Sequence, residues 1–93
     1  VKGSIDVDAG AAKALAGGAS LLGAGACAVA GTFGRGDVVD VIGPSGTAIA
    51  RGLSEYASGD AAAIIGLKSD AQAKALGYAP RSALVHRDHM VLL

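Results

Sequence analysis

Apolar and polar positions alternate at the start of the chain. Ile5 and Val7 lie two apart with Asp6 between them, which predicts a short strand over Ser4 to Val7. The period then lengthens. Ala11, Ala12 and Leu15 form an apolar stripe at helical spacing within AGAAKALA, with Asp8 placed as N-cap and Gly17-Gly18 as the stop. Leu21-Leu22 is a short apolar clasp, and Gly23-Ala24-Gly25 reads as a loop. From Cys27 to Phe33 the pattern is again that of a strand, with Cys27, Val29, Gly31 and Phe33 on one face.

Gly34-Arg35-Gly36-Asp37 predicts a turn, and the β-branched run Val38 to Ile42 a strong strand. Gly43-Pro44-Ser45-Gly46 places Pro second and Gly fourth, as a type I turn prefers. Thr47 to Tyr56 is then the partner strand of a hairpin, with Ile49, Arg51 and Leu53 on one face. Between Ser58 and Gly77 the period becomes helical twice. Ser58 is placed as the cap of a helix carrying Ile64 and Ile65 and stopped by Gly66. Ser69 and Gln72 match a capping box for a second helix reaching Leu76 and ending at Gly77, and Pro80 blocks any continuation. Leu84 to Leu92 predicts a closing strand with His86-Arg87-Asp88-His89 at its middle. Short strands between turn residues favour a small barrel or open sandwich. A doubly wound parallel sheet would need more crossover helices.

Composition sharpens this picture. The 93 residues suffice for one small domain only. The hydrophobic fraction, 52%, with a net charge of zero, excludes a disordered chain. Much of that fraction is alanine, and 15 residues are glycine, so the core must come from Ile, Val and Leu with Phe33, Tyr56, Tyr78 and Met90. No apolar run reaches the length of a membrane span, and VKGSIDVD lacks the basic-then-apolar order of a signal peptide. One cysteine, Cys27, cannot form an internal disulfide. It is expected to pack as a small hydrophobe, and a cytoplasmic location is the expectation. The first residue is Val rather than Met, which suggests a piece of a longer protein.

Reactive constellations are sparse. Phosphate-loop spacing is absent, and Gly23-Ala24-Gly25 does not extend to a dinucleotide fingerprint. His86 and His89 are three apart. On a strand that spacing puts them on opposite faces, and no second cysteine completes a zinc pattern, so no metal site is expected. No serine has a credible His and Asp partner set, so no catalytic residue is assigned.

The runs GSIDVDAGAAKALAGGASLLGAG and GTFGRGDVVDVIGPSGTAIARGLSEYAS, with LGY and VHRDHMVLL, carry a family resemblance over nearly the whole chain. LL-x-A-G followed by F-x-x-G-D-V-V-x-V and I-A-x-G resembles the general pattern of PUA domains. DAGAAKALA and VHRD-x-x-VLL are similar to those of bacterial glutamate 5-kinases. The resemblance implies a mainly β pseudo-barrel with short helices and a mixed sheet, forming a single domain over residues 1–93. It implies an amino-acid kinase domain elsewhere in the same chain, which would use ATP and Mg to phosphorylate the glutamate side chain on the way to proline. This domain would then be noncatalytic, with no cofactor of its own, and accessory or regulatory. Its partners would be the kinase domain and other subunits.

The alternative is an RNA-binding module, because PUA domains of RNA-modifying enzymes hold RNA with the first helix, the glycine loop and the next strand. Carried over, the candidate residues are Lys13, Gly23, Gly25, Arg35 and Arg51. The plainer reading makes Lys13 and Arg35 solvated charges and the glycines turn formers. Asp6, Asp8 and Asp37 lie near these cations in sequence and would repel phosphates.

Overall fold

The computed structural model describes every residue from Val1 to Leu93. Strand β1 (Gly3–Val7) hands the chain to Asp8, whose extended backbone and side chain start helix α1 (Ala9–Ala16). The Asp8 carboxylate accepts a hydrogen bond from the Ala11 amide at 2.7 Å, satisfying one of the first-turn donors a helix leaves free. Leu15, 1% exposed, is the residue α1 buries. A 3-10 turn (Gly23–Gly25) leads into β2 (Ala26–Gly31), followed by β3 (Val38–Ile42) and β4 (Ala48–Ser54). Helices α2 (Ser58–Ile64) and α3 (Ser69–Leu76) precede the last strand, β5 (Val85–Leu92). α3 stops where Gly77 takes a left-handed conformation, φ +77°.

The five strands lie in the order β2-β1-β3-β4-β5. Only the β1–β3 pair is parallel, so the sheet is mixed. Leu21 closes the ring. Its amide donates to the Val85 carbonyl at 2.9 Å, and its carbonyl accepts from Leu84 at 2.7 Å, so the segment entering β2 is stitched to β5 at the far side of the sheet. Helix α2 packs along β2 from Phe33, whose carbonyl accepts from Ser58, toward Gly23, whose carbonyl accepts from Gly66. The otherwise free edge of β2 is thereby covered. The result is a pseudo-barrel. Ile5, Leu15, Leu21, Val39, Val41, Ile64, Leu84 and Val85 fill it, each at most 1% exposed. Each contributes about 1.5–3 kcal/mol by leaving water.

Several local expectations are corrected. Cys27 is exposed rather than packed. Val7 pairs with Ala26 while Asp6 pairs with Ala28, so Cys27 is the extra residue of a bulge and drops out of the alternation. Ala26 takes the inward position instead, 3% exposed. Ser58 is the first residue of α2 rather than its cap. Its hydroxyl accepts from the Phe33 amide at 3.3 Å and ties the helix to the sheet. The Ser69–Gln72 capping box does not form. Lys68 occupies the N-cap, and the Gln72 side chain turns inward to donate to the Leu67 carbonyl at 2.7 Å. Tyr78 is half exposed and donates to Asp60 at 2.9 Å instead of joining the core.

Candidate functional site

Helix α1 and the 3-10 turn fix each other. The Asp8 amide donates to the Gly25 carbonyl at 3.0 Å, and a Cβ on Gly25 would stand 2.6 Å from that of Ala11. Gly23 is buried. A Cβ there would meet Gln72 Nε2 at 2.7 Å and the Ile64 carbonyl at 3.2 Å. Both glycines are thus required by the close approach of the chain's own elements. Lys13 is exposed in the last turn of α1, where a cation complements the helix dipole, and it forms no ion pair. The groove between α1 and the turn, about 210 Å³, is walled by Ala11, Ala14, Ala19 and Leu22, with Asp8 as its only charged residue.

The other two candidates lie elsewhere. Arg35 sits in the turn between β2 and β3. The Gly34 amide donates to the Asp37 carboxylate at 2.8 Å, and Gly36 donates to the Ser54 carbonyl at 2.7 Å. That pins Arg35 to the end of β4. α1 instead follows the C-terminal end of β1, beside Ile42, at the opposite end of β3. Arg51 is on β4, separated from β2 within the sheet by β1 and β3. Its Nε donates to Asp40 on β3 at 2.7 Å, which neutralises it. Lys13, Gly23 and Gly25 therefore come together, while Arg35 and Arg51 do not join them.

The two histidines correct another expectation. Between Gly52 and Ser54, β4 advances two residues while β5 advances from Met90 to Val85, so β5 bulges over its middle. The bulge brings His86 and His89 together, ring centroids 6.1 Å apart, instead of setting them on opposite faces. The Asp88 amide donates to His86 Nδ1 at 3.2 Å. No three His, Cys, Asp or Glu side chains converge as metal ligands would.

Two surface features had no sequence signal. An apolar hollow of about 240 Å³ is lined wholly by Ala12, Leu15, Ala16, Ile49, Leu92 and Leu93. A larger, mixed cavity of about 320 Å³ opens between the 3-10 turn, the start of α3 and the segment Arg81–Ala83. Gln72, 8% exposed, lies in its wall. No helix is long and apolar enough to cross a membrane.

Comparison with known proteins gives a consistent result. The PUA domain family model matches residues 3–76. A glutamate 5-kinase of Sphingopyxis alaskensis is 67% identical over 92 residues, covering 99% of this chain and 25% of that protein. A glutamate 5-kinase of Novosphingobium aromaticivorans is 57% identical over 93 residues, again covering 25% of its length. The chain thus spans about a quarter of the curated relatives it matches. Among solved structures, a PUA domain from Aeropyrum pernix K1, crystallised as a tartrate complex, superposes with a TM-score of 0.70 at 33% identity. The match covers 96% of this chain and 43% of that one. Taken with the mixed five-stranded pseudo-barrel, these matches establish that the chain belongs to the PUA domain family.

Proposed function

We propose that this chain is the PUA domain of a glutamate 5-kinase and serves as an accessory unit that does no bond-making itself. The observation that carries the reading is 67% identity over 99% of the chain to a protein four times as long. The residues here do not fit a nucleotide–magnesium site: the glycine turn is packed against Ala11 and Gln72, and no carboxylates converge. ATP and Mg would be held by the amino-acid kinase domain of the same chain. The apolar hollow of Leu15, Ile49, Leu92 and Leu93, in which Leu92 and Leu93 are more than half exposed, supplies surface for contact with that domain or with other subunits. The cytoplasm is the compartment in which such an enzyme would act.

The test compares the full-length protein with a form lacking these residues, and with the 93 residues alone. The 93 residues alone should form no glutamyl 5-phosphate. Removing them from the full protein should leave phosphorylation measurable while changing subunit assembly or the response of rate to substrate. Glutamyl phosphate made by the isolated chain would overturn the reading, as would a deletion that changes neither assembly nor kinetics.

A second reading, an RNA-binding module, is favoured by one observation. Lys13 is exposed and unpaired on the helix that packs against Gly25. Against it stand the pairing of Arg51 with Asp40 and the placement of Arg35 at the other end of β3.

A further inference from the structure

Three hollows adjoin one another around helix α1. The apolar one of about 240 Å³ shares Leu15 and Leu92 with a smaller one of about 100 Å³. That one shares Ala19 with the 210 Å³ groove against the 3-10 turn. Apolar surface therefore flanks α1 on both sides. Leu22, Leu92 and Leu93 stand along it, each more than half exposed. Asp8 and Arg87 are the only charged residues that line any of the three. An apolar belt of this kind on a small domain marks a contact surface.

The charges on α1 say what fits there. Gly10, Lys13 and Ala14 are exposed and, at spacings of three and four, share one ridge of the helix. Gly10 and Ala14 leave room for another helix to come close. Asp8 is exposed at the start of α1, and Lys13 is exposed in its last turn. Asp8 accepts from the Ala11 amide through one oxygen only, and neither Asp8 nor Lys13 is in an ion pair. The two ends of α1 thus carry opposite, unpaired charges. A second α1 laid antiparallel across the first sets each Asp8 against the Lys13 of the other copy and opposes the two helix dipoles. A parallel arrangement would set like charge against like. Two-fold symmetry also places each flank of α1 on the same flank of its mate, so that apolar surface meets apolar surface. The net charge of zero adds no repulsion between copies.

We propose that this face binds a second copy of the same chain, α1 against α1, antiparallel about a two-fold axis. Leu92 and Leu93 of each copy cover the 240 Å³ hollow of the other, and Leu22 covers the groove beside the 3-10 turn. The inference rests on the accessory reading in taking the hollow as contact surface, and it narrows the occupant to the same face of another copy.

The chain closes its own barrel around its own core, so the 93 residues are tested as they stand. Sedimentation equilibrium from about 5 μM to about 1 mM should show monomer and dimer with no larger species. Lys13→Glu should weaken the dimer by about tenfold, because each substitution acts twice across the axis. Adding Asp8→Asn, which keeps the helix cap, should recover part of that loss. Leu93→Asp, at an exposed position, should weaken it by at least about tenfold. Circular dichroism checks that each variant is folded. A Cβ on Gly10 would meet only Asp8, at 3.5 Å, so a side chain fits there. With Cys27→Ser, Gly10→Cys should give a disulfide-linked dimer on mild oxidation, while Ser45→Cys in the β3–β4 turn should not. A monomer at the highest concentration, equal cross-linking at Ser45→Cys, or a folded Lys13→Glu that dimerises as before would each overturn the proposal. So would a photo-cross-linker at Gly10 of the full-length protein that captures another domain instead of a second α1. None of these outcomes touches the accessory reading, which is decided by the activity of the full-length and truncated proteins.

Discussion

The Cβ of Ala11 lies 2.6 Å from where a side chain on Gly25 would begin. No real pair of carbons sits that close, so α1 rests on the 3-10 turn only because residue 25 has no side chain. Gly25→Ala should therefore push α1 off the turn and lower stability by about 1–3 kcal/mol. Ala11→Gly alone should cost about 0.5–1 kcal/mol through helix propensity. In the double variant the clash is gone, so its loss should be smaller than the sum of the two. Urea unfolding of the four proteins measures this. A neutral Gly25→Ala would mean that the glycine is kept for something other than packing.

Ser54 is fully buried and satisfies itself against one residue. Its hydroxyl donates to the Tyr56 carbonyl at 2.6 Å and accepts from the Tyr56 amide at 3.2 Å. The same stretch turns the chain from β4 toward α2, and Tyr56 reaches on to hold the Arg81 amide. Ser54→Ala leaves the Tyr56 amide and carbonyl without this partner in a dry site, at a cost of about 1–3 kcal/mol. Thermal unfolding should show the loss. Ser54→Thr, which keeps the hydroxyl, should recover part of it if the added methyl fits.

Short-range features were legible in the sequence because few residues decide them. Asp8 caps α1 through a bond to Ala11 three residues on, Gly77 ends α3, and the Gly43–Gly46 turn closes the β3–β4 hairpin. The misses share a different cause. The bulges at Cys27 and between His86 and His89 depend on which residues of the neighbouring strand are paired, and that register is invisible along one strand. Gln72 fits a capping pattern locally, yet Leu67 offers it a buried acceptor and Gly23 leaves the room. Arg51 looked like a free cation until β3 set Asp40 opposite it. For the candidate site, Lys13, Gly23 and Gly25 could be grouped from sequence, but the separation of Arg35 and Arg51 from them could not.

Tyr78 donates its hydroxyl hydrogen to the Asp60 carboxylate, and that bond, with the desolvation and charge around it, raises its pKa above the ordinary tyrosine value of 10.0. The bond needs the neutral phenol. Its contribution is therefore fully present below the unfolded-state pKa and is lost as pH rises through the folded one. In a titration followed by phenolate absorbance, the Tyr78 step should fall above that of a free tyrosine. Asp60→Asn should bring it down, and Tyr78→Phe should remove it.

The cation layout makes a quantitative statement about RNA. Affinity for single-stranded RNA falls with salt at a slope of about −0.7 for each phosphate neutralised. With Arg51 tied to Asp40 and Arg35 held at the far end of β3, Lys13 is the one candidate cation beside the glycine turn. Lys68 and Arg81 line the cavity that also borders Gly23, so any RNA bound there should show a slope no steeper than about −2, and Lys13→Ala should flatten it by about 0.7. Asp40→Ala, which releases Arg51, should leave the slope unchanged because Arg51 lies three strands from β2. Fluorescence anisotropy with a labelled oligonucleotide across a salt series reads all three. A slope of −3 or steeper would require the cations to converge on a path different from the one α1 and the 3-10 turn define, and the accessory reading would then lose its main electrostatic support.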